Sequence, residues 1–309
     1  EGVLVLALGE TATERNRLGR SRESRDTRAG GEFRAQELPD LLDAWRQIMD
    51  LCPVVAVSGT PTHDVAGCYE PLVGLRAVHG FCMIVAGEAL ILHEGRISES
   101  EELPLDVPGE LLILGCPEPS KEWWLADKAG LGRDEAAAAV VAGMRGLLLG
   151  LGAVRREHAE LPCLMVYHGQ VAGATLGSGQ ALRPGGIQIG RDDLALVGAD
   201  YYALGDIHLA QRIGDLPAYY AGSAYPCNWS EVDQKGCWLV DLDWTDGQPG
   251  DAVYTAKITR VPFPHAPRRK IVATAAQTFT NADFAGMQVW LHVKDAAEKL
   301  AYYDVEQAQ

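Results

Sequence analysis

Apolar positions along the chain recur with two periods that take turns. Leu38, Leu41, Leu42, Trp45, Ile48 and Met49 fall at helical spacing, which predicts a helix from Leu38 to Leu51. Short runs dense in branched residues lie on either side of it. Val3 to Leu8, and Val54 running into Gly59, read as apolar strands. Phe81 to Val85, Ala89 to Leu92 and Leu111 to Leu114 read as further strands, parted by glycine and acidic turns. Asp134 stands where it can cap a helix through Ala136 to Leu149, rich in alanine and leucine. Pro162 to Gly169 and Tyr201 to Leu204 are strands again, and strands dominate from Gly236 to Trp244 and Ala252 to Val261. Pro262, Pro264 and Pro267 then punctuate a domain boundary. Strands and helices alternate first and strands dominate later, which predicts an α/β fold of two sheets packed between helices.

Composition sets bounds on this picture. A chain of 309 residues that is 47% hydrophobic has core enough for one large domain and a smaller one. No apolar run reaches the roughly 20 residues of a membrane span, and no basic segment precedes the first strand as in a secretory signal. Cys52, Cys68, Cys82, Cys116, Cys163, Cys227 and Cys237 are scattered singly, which fits reduced thiols in a cytoplasmic protein. A formal charge of −15 argues against a protein that coats DNA generally. The charge is uneven, however. Arg15, Arg17, Arg20, Arg22, Arg25, Arg28 and Arg34 crowd one stretch, which reads equally well as a solvated loop. Ala252 to Ala282 holds no acid but carries Lys257, Arg260, Arg268, Arg269 and Lys270.

The side chains with chemistry in them gather where strands end. Val3 to Leu8 leads to Gly9-Glu10, Val54 to Gly59 leads on to His63-Asp64, and the strand from Pro162 delivers His168-Gly169. Tyr201 to Leu204 stops at Gly205-Asp206-Ile207-His208. Open α/β folds carry their chemistry at such strand ends. Farther on come AGSAYP (Ala221 to Pro226) and DQKG (Asp233 to Gly236).

In this order the segments resemble the motifs of the calcineurin-like metallophosphoesterases, in the SbcD branch that forms the nuclease subunit of the SbcCD DNA-repair complex. The match departs from the family pattern at several points. GHxH reads GDIH, PGSP reads AGSAYP, and the GNHD asparagine is replaced by Thr62 with an apparent two-residue insertion. The family's GD reads Gly9-Glu10, and its first DxH motif has no counterpart. This reads as sequence missing at the front, or as a degenerate member.

The resemblance implies a calcineurin-like metallophosphoesterase sandwich, two β-sheets flanked by helices, over 1–261. Part of a small C-terminal capping domain would follow over 262–309. It implies two divalent ions, Mn²⁺ first with Mg²⁺ or Fe²⁺ as alternatives, which activate a water for in-line phosphodiester displacement. His168 and His208 would be metal ligands, Asp206 a replacement ligand and Glu10 the bridging carboxylate. His63 would serve the leaving oxygen as a general acid, with Asp64 orienting its ring. The implied partners are DNA, an SbcC-like SMC-family ATPase and a second copy of the chain, with no membrane. Three readings stay open: a DNA nuclease subunit, a phosphodiesterase acting on a small substrate, and a catalytically weakened scaffold. DQKG favours the first over the second. His79, His93, His158, His265 and His292 match no motif and read as structural or surface residues.

Overall fold

The structure is a computed structural model describing residues 4–7, 39–40, 42–59, 70–99, 109–118, 125, 130, 132–178, 180, 187–245, 253–274 and 276–296. The first elements are β1 (Leu4–Ala7), α1 (helical at 39–40 and 42–49), β2 (Val54–Val57), α2 (Glu70–Val73) and β3 (Phe81–Ile84). Next come β4 (Glu88–His93), β5 (Arg96–Glu99), β6 (Leu111–Cys116), α3 (Arg133–Glu157) and β7 (Cys163–His168). The chain continues through β8 (Gln170–Val171), β9 (Gln188–Ile189), α4 (Arg191–Ala195), β10 (Tyr201–Gly205), β11 (Gln211–Arg212) and β12 (Ala218–Tyr220). Two long strands, β13 (Gly236–Thr245) and β14 (Val253–Pro262), precede β15 (Arg268–Ala273) and β16 (Gln288–Val293).

The protein is a mixed α/β structure. β1, β2 and β3 form a parallel three-stranded sheet, and seven strands form a second in the order β11-β12-β10-β7-β6-β4-β5. Its four central strands, β12, β10, β7 and β6, run parallel. The two sheets meet face to face: Val55, Val57 and Ile84 of the small sheet share one buried cluster with Leu90, Ile113, Leu164, Val166 and Tyr201 of the large one. The large sheet's other face takes Val140, Met144, Leu148 and Leu151 of α3. The small sheet's other face takes Trp45, Ile48 and Met49 of α1. The layers therefore run helix, sheet, sheet, helix, as the alternation of apolar periods predicts. One contact between the sheets is especially close. Gly115 in β6 lies so close to the Ile84 side chain that any Cβ there would collide with it.

Two expectations need correction. Asp134 is not the cap of α3. The N-cap lies two residues earlier, at Gly132, whose amide donates to the Glu135 carboxylate at 2.9 Å, and Asp134 sits in the first turn. The helix also runs eight residues past Leu149, to Glu157. Gly146, Gly150 and Gly152 do not stop it, and Gly152 lets the carbonyl of Leu196 pack directly against the helix. As a result the helix over Asp134–Glu157 contains an 18-residue window of mean hydropathy 1.8 and is by length and composition alone apolar enough to cross a membrane, although no such run was expected. Its Val140, Met144, Leu148 and Leu151 side is buried against the sheet.

β5 was not foreseen. It pairs with β4 across a two-residue turn in which Glu94 (φ 46°) and Gly95 (φ 69°) are both left-handed, the geometry that follows the natural twist of a hairpin. After Pro262, β15 and β16 form a separate parallel pair. The arginine-rich stretch from Arg15 to Arg34 lies outside the described residues.

Candidate metal centre

The four central strands of the large sheet end in line. Cys116, Tyr167, Leu204 and Tyr220 are successive cross-strand partners, and one residue later His168 stands beside Gly205. Side chains alternate along β7. Cys163, Met165 and Tyr167 face α3 while Leu164 and Val166 face the small sheet, so alternation carries His168 to the face shared by the two sheets. The imidazole of His168 is 1% exposed. β1 packs across β7 and β10, and β2 across β7, on this same side.

Two clamps hold the turns that leave these strands. The Tyr220 hydroxyl donates to Gly169 O at 2.8 Å and accepts from Val171 N–H at 2.9 Å, fixing the turn after His168. Gly169 is needed in that turn, with φ at 149° and the Tyr167 ring against its Cα. The Gln180 side chain holds the second turn. Its Nε2 donates to Asp206 O at 2.7 Å, and its Oε1 accepts from His208 N–H at 3.1 Å.

Between those contacts Asp206 has φ 97°, a region that costs a side-chain-bearing residue about 1–3 kcal/mol and is held only where the surroundings impose it. Burial pushes the Tyr167 and Tyr220 hydroxyls well up, and the carboxylates of Glu118 and Asp206 push them further. Both phenols therefore remain neutral beside an acidic strand edge. Glu118, 7% exposed, follows β6 and accepts from Ile187 N–H at 3.4 Å.

A buried carboxylate organises the remainder. His208 Nδ1 lies 2.7 Å from Glu231 Oε1, which also accepts from Asn228 Nδ2 at 2.8 Å. Glu231 Oε2 accepts from the Ser223 hydroxyl (3.1 Å), the Cys227 amide (3.1 Å) and the Lys235 ammonium (2.8 Å). The Lys235 side chain is 1% exposed, and its ammonium reaches Asp233 at 3.1 Å and His208 O at 3.3 Å as well. Burial works to raise the Glu231 carboxyl, but the bonds from His208, Lys235 and Cys227 outweigh it and hold it down at about 2.

An ionised carboxylate can only accept, so His208 Nδ1 is the donor in this contact. Metal-bound histidines are usually held this way, the second ring nitrogen donating to a carboxylate. His208, Cys227 and Glu231 also bring three ligand atoms within 4.8 Å of one another. That trio is a poor cation site, since both Glu231 oxygens are already shared among five donors and one is an ammonium. His168 and Asp206 stand outside it.

Glu10, His63 and Asp64 lie outside the described residues. Sequence reasoning had not singled out Glu231, Gln180, Tyr220 or Glu118, and Lys235 entered only as part of DQKG, with no role of its own. Glu118 carried a usable signal, an acid just past an apolar strand. Compared with known proteins, the chain matches no family model and no curated protein sequence.

Proposed function

We propose that this chain is a divalent-metal-dependent phosphodiesterase of the calcineurin-like sandwich type, cutting DNA as an SbcD-like nuclease subunit. The observation that carries the reading is the His208–Glu231 contact at the end of a central strand, which commits Nδ1 to the carboxylate and fixes the orientation of the ring. His168 on the neighbouring strand offers a second imidazole and Asp206 a hard carboxylate oxygen, a mixed nitrogen and oxygen donor set that admits Mn²⁺. When bound, such ions activate a water and neutralise charge on the phosphate.

The chain's own part is to place the donors. Tyr220 fixes the turn after His168, Gln180 fixes Asp206 and His208, and Glu231 fixes the orientation of the His208 ring. Burial keeps the imidazoles from bulk water. Glu10 as bridging carboxylate, His63 as general acid and Asp64 as its orienting partner enter on the resemblance alone, as do the SMC-family ATPase partner and a second copy.

The test is Mn²⁺ binding by the full chain, followed by electron paramagnetic resonance, beside hydrolysis of linear duplex DNA with and without chelator. The expected result is saturable Mn²⁺ binding that His168→Ala and His208→Ala each weaken, with hydrolysis lost in parallel. Undiminished Mn²⁺ binding in both variants would overturn the reading.

A further inference from the structure

We infer that the face formed by Trp229, Trp290, Arg268 and Lys270 is a stacking platform for single-stranded DNA leading to the site. This deepens the phosphodiesterase reading and rests on it for the class of ligand, while its geometry stands apart. β15 and β16 pair in register Arg268↔Gln288, Lys270↔Trp290 and Val272↔His292, so these six residues share one face of the two-stranded sheet. Ile271, Val289, Leu291 and Val293 fall on the other, partly buried face. The first face carries two cations and an indole that is 42% exposed, and no acid.

The cations are placed over rings. Arg268 lies 5.2 Å from the Trp229 ring centre and Lys270 4.1 Å from that of Trp290. The two indoles are 6.1 Å apart and tilted by 46°, so neither covers the other as a parallel stack would. Arg268 is pinned by donating to Pro226 O at 2.6 Å and Asn228 O at 3.4 Å. Asn228 in turn donates to Glu231, the partner of His208, so two residues link Arg268 to His208.

Successive bases stacked on aromatic rings beside cations are the general means of holding a single strand without reading its sequence. The charge pattern selects this occupant. The chain carries −15 overall, yet Ala252 to Ala282 holds five cations and no acid. An apolar protein surface would leave Arg268 and Lys270 without counter-charge, whereas phosphates supply it. In a duplex the bases are stacked on one another, and the indoles would have nothing to stack with.

The experiment is binding of a fluorescent oligothymidylate of about 15 nucleotides to the full chain. It is run in chelator, so that failure of the metal reading cannot mask the result, and compared with a duplex of equal length. The expected result is tighter binding of the single strand, with quenching of tryptophan emission. Trp290→Ala should weaken it roughly 5- to 100-fold, and Trp290→Phe much less. Lys270→Ala should reduce the slope of log affinity against log salt by about 0.7. Trp290 is exposed, and urea unfolding of each variant checks that the fold is intact. Equal affinity for duplex, an unchanged Trp290→Ala, or no binding at all would each overturn the platform. Binding in chelator without any metal-dependent hydrolysis would keep the platform and sink the nuclease.

Discussion

Glu231 and His208, 23 residues apart in sequence, meet at 2.7 Å with the carboxylate wholly buried. Lys235 closes the arrangement at 2.8 Å from the other oxygen, so the three side chains form one charge-compensated unit. Removing the carboxylate strands a buried ammonium. Glu231→Ala should cost about 3–5 kcal/mol in urea unfolding, and Glu231→Gln less. Glu231→Gln with Lys235→Met should recover stability relative to Glu231→Gln alone. Metal affinity should not recover with it, staying on the order of 10- to 100-fold weaker. A double variant less stable than Glu231→Gln would show that the ammonium is not the source of the cost.

Acid should expose the same unit. The folded Glu231 carboxyl sits near 2, below its ordinary value of 4.5, so its contribution is complete above pH 4.5. It is lost as pH falls from there towards 2. That shift corresponds to on the order of 3 kcal/mol, and it should vanish from the pH–stability curve of Glu231→Gln. Superimposable curves for the two proteins between pH 5 and about 2 would refute the assignment.

Asp206 should separate stability from binding. Glycine tolerates φ 97°, whereas alanine does not. Asp206→Gly should therefore match or exceed the parent in melting temperature, and Asp206→Ala should fall about 1 kcal/mol below Asp206→Gly. Both should bind Mn²⁺ more weakly than the parent. Equal stability of the two variants would mean that the turn relaxes freely once the carboxylate is gone.

The thiols offer a check on the core. Burial pushes Cys116 and Cys163 up to about 12 and Cys82 to about 11. At pH 8 roughly one in ten thousand of the first two is ionised, so a thiolate-selective reagent should label them only after unfolding. Mass spectrometry of the folded, labelled protein reads this directly, and early labelling of Cys163 would show that the start of β7 opens.

The strands of the core were legible because β2, β6, β7 and β10 are near-continuous apolar runs buried on both faces. β12 was not, since three residues between turns carry no period, and Tyr220 acts through partners about 50 positions away. The end of α3 was misread because its glycines resemble stops, while the close approach of Leu196 makes Gly152 a contact. His168, Asp206 and His208 were visible as strand-end residues. Glu231 was not, because its meeting with His208 depends on a chain reversal through Ala221 to Pro226, and no local spacing encodes that.

Gly115 gives the proposed site a gauge. On the proposed reading, donors on the large sheet would work with Glu10 and His63, which follow β1 and β2 in the sequence, so the gap between layers would set how far apart the two halves of the centre stand. A methyl group at Gly115 would press on Ile84 and act as a shim. The protein could stay folded and every donor remain in place within its own sheet. The two halves would simply no longer be at matching distance, and a substitution inside the core would read out as a loss of chemistry.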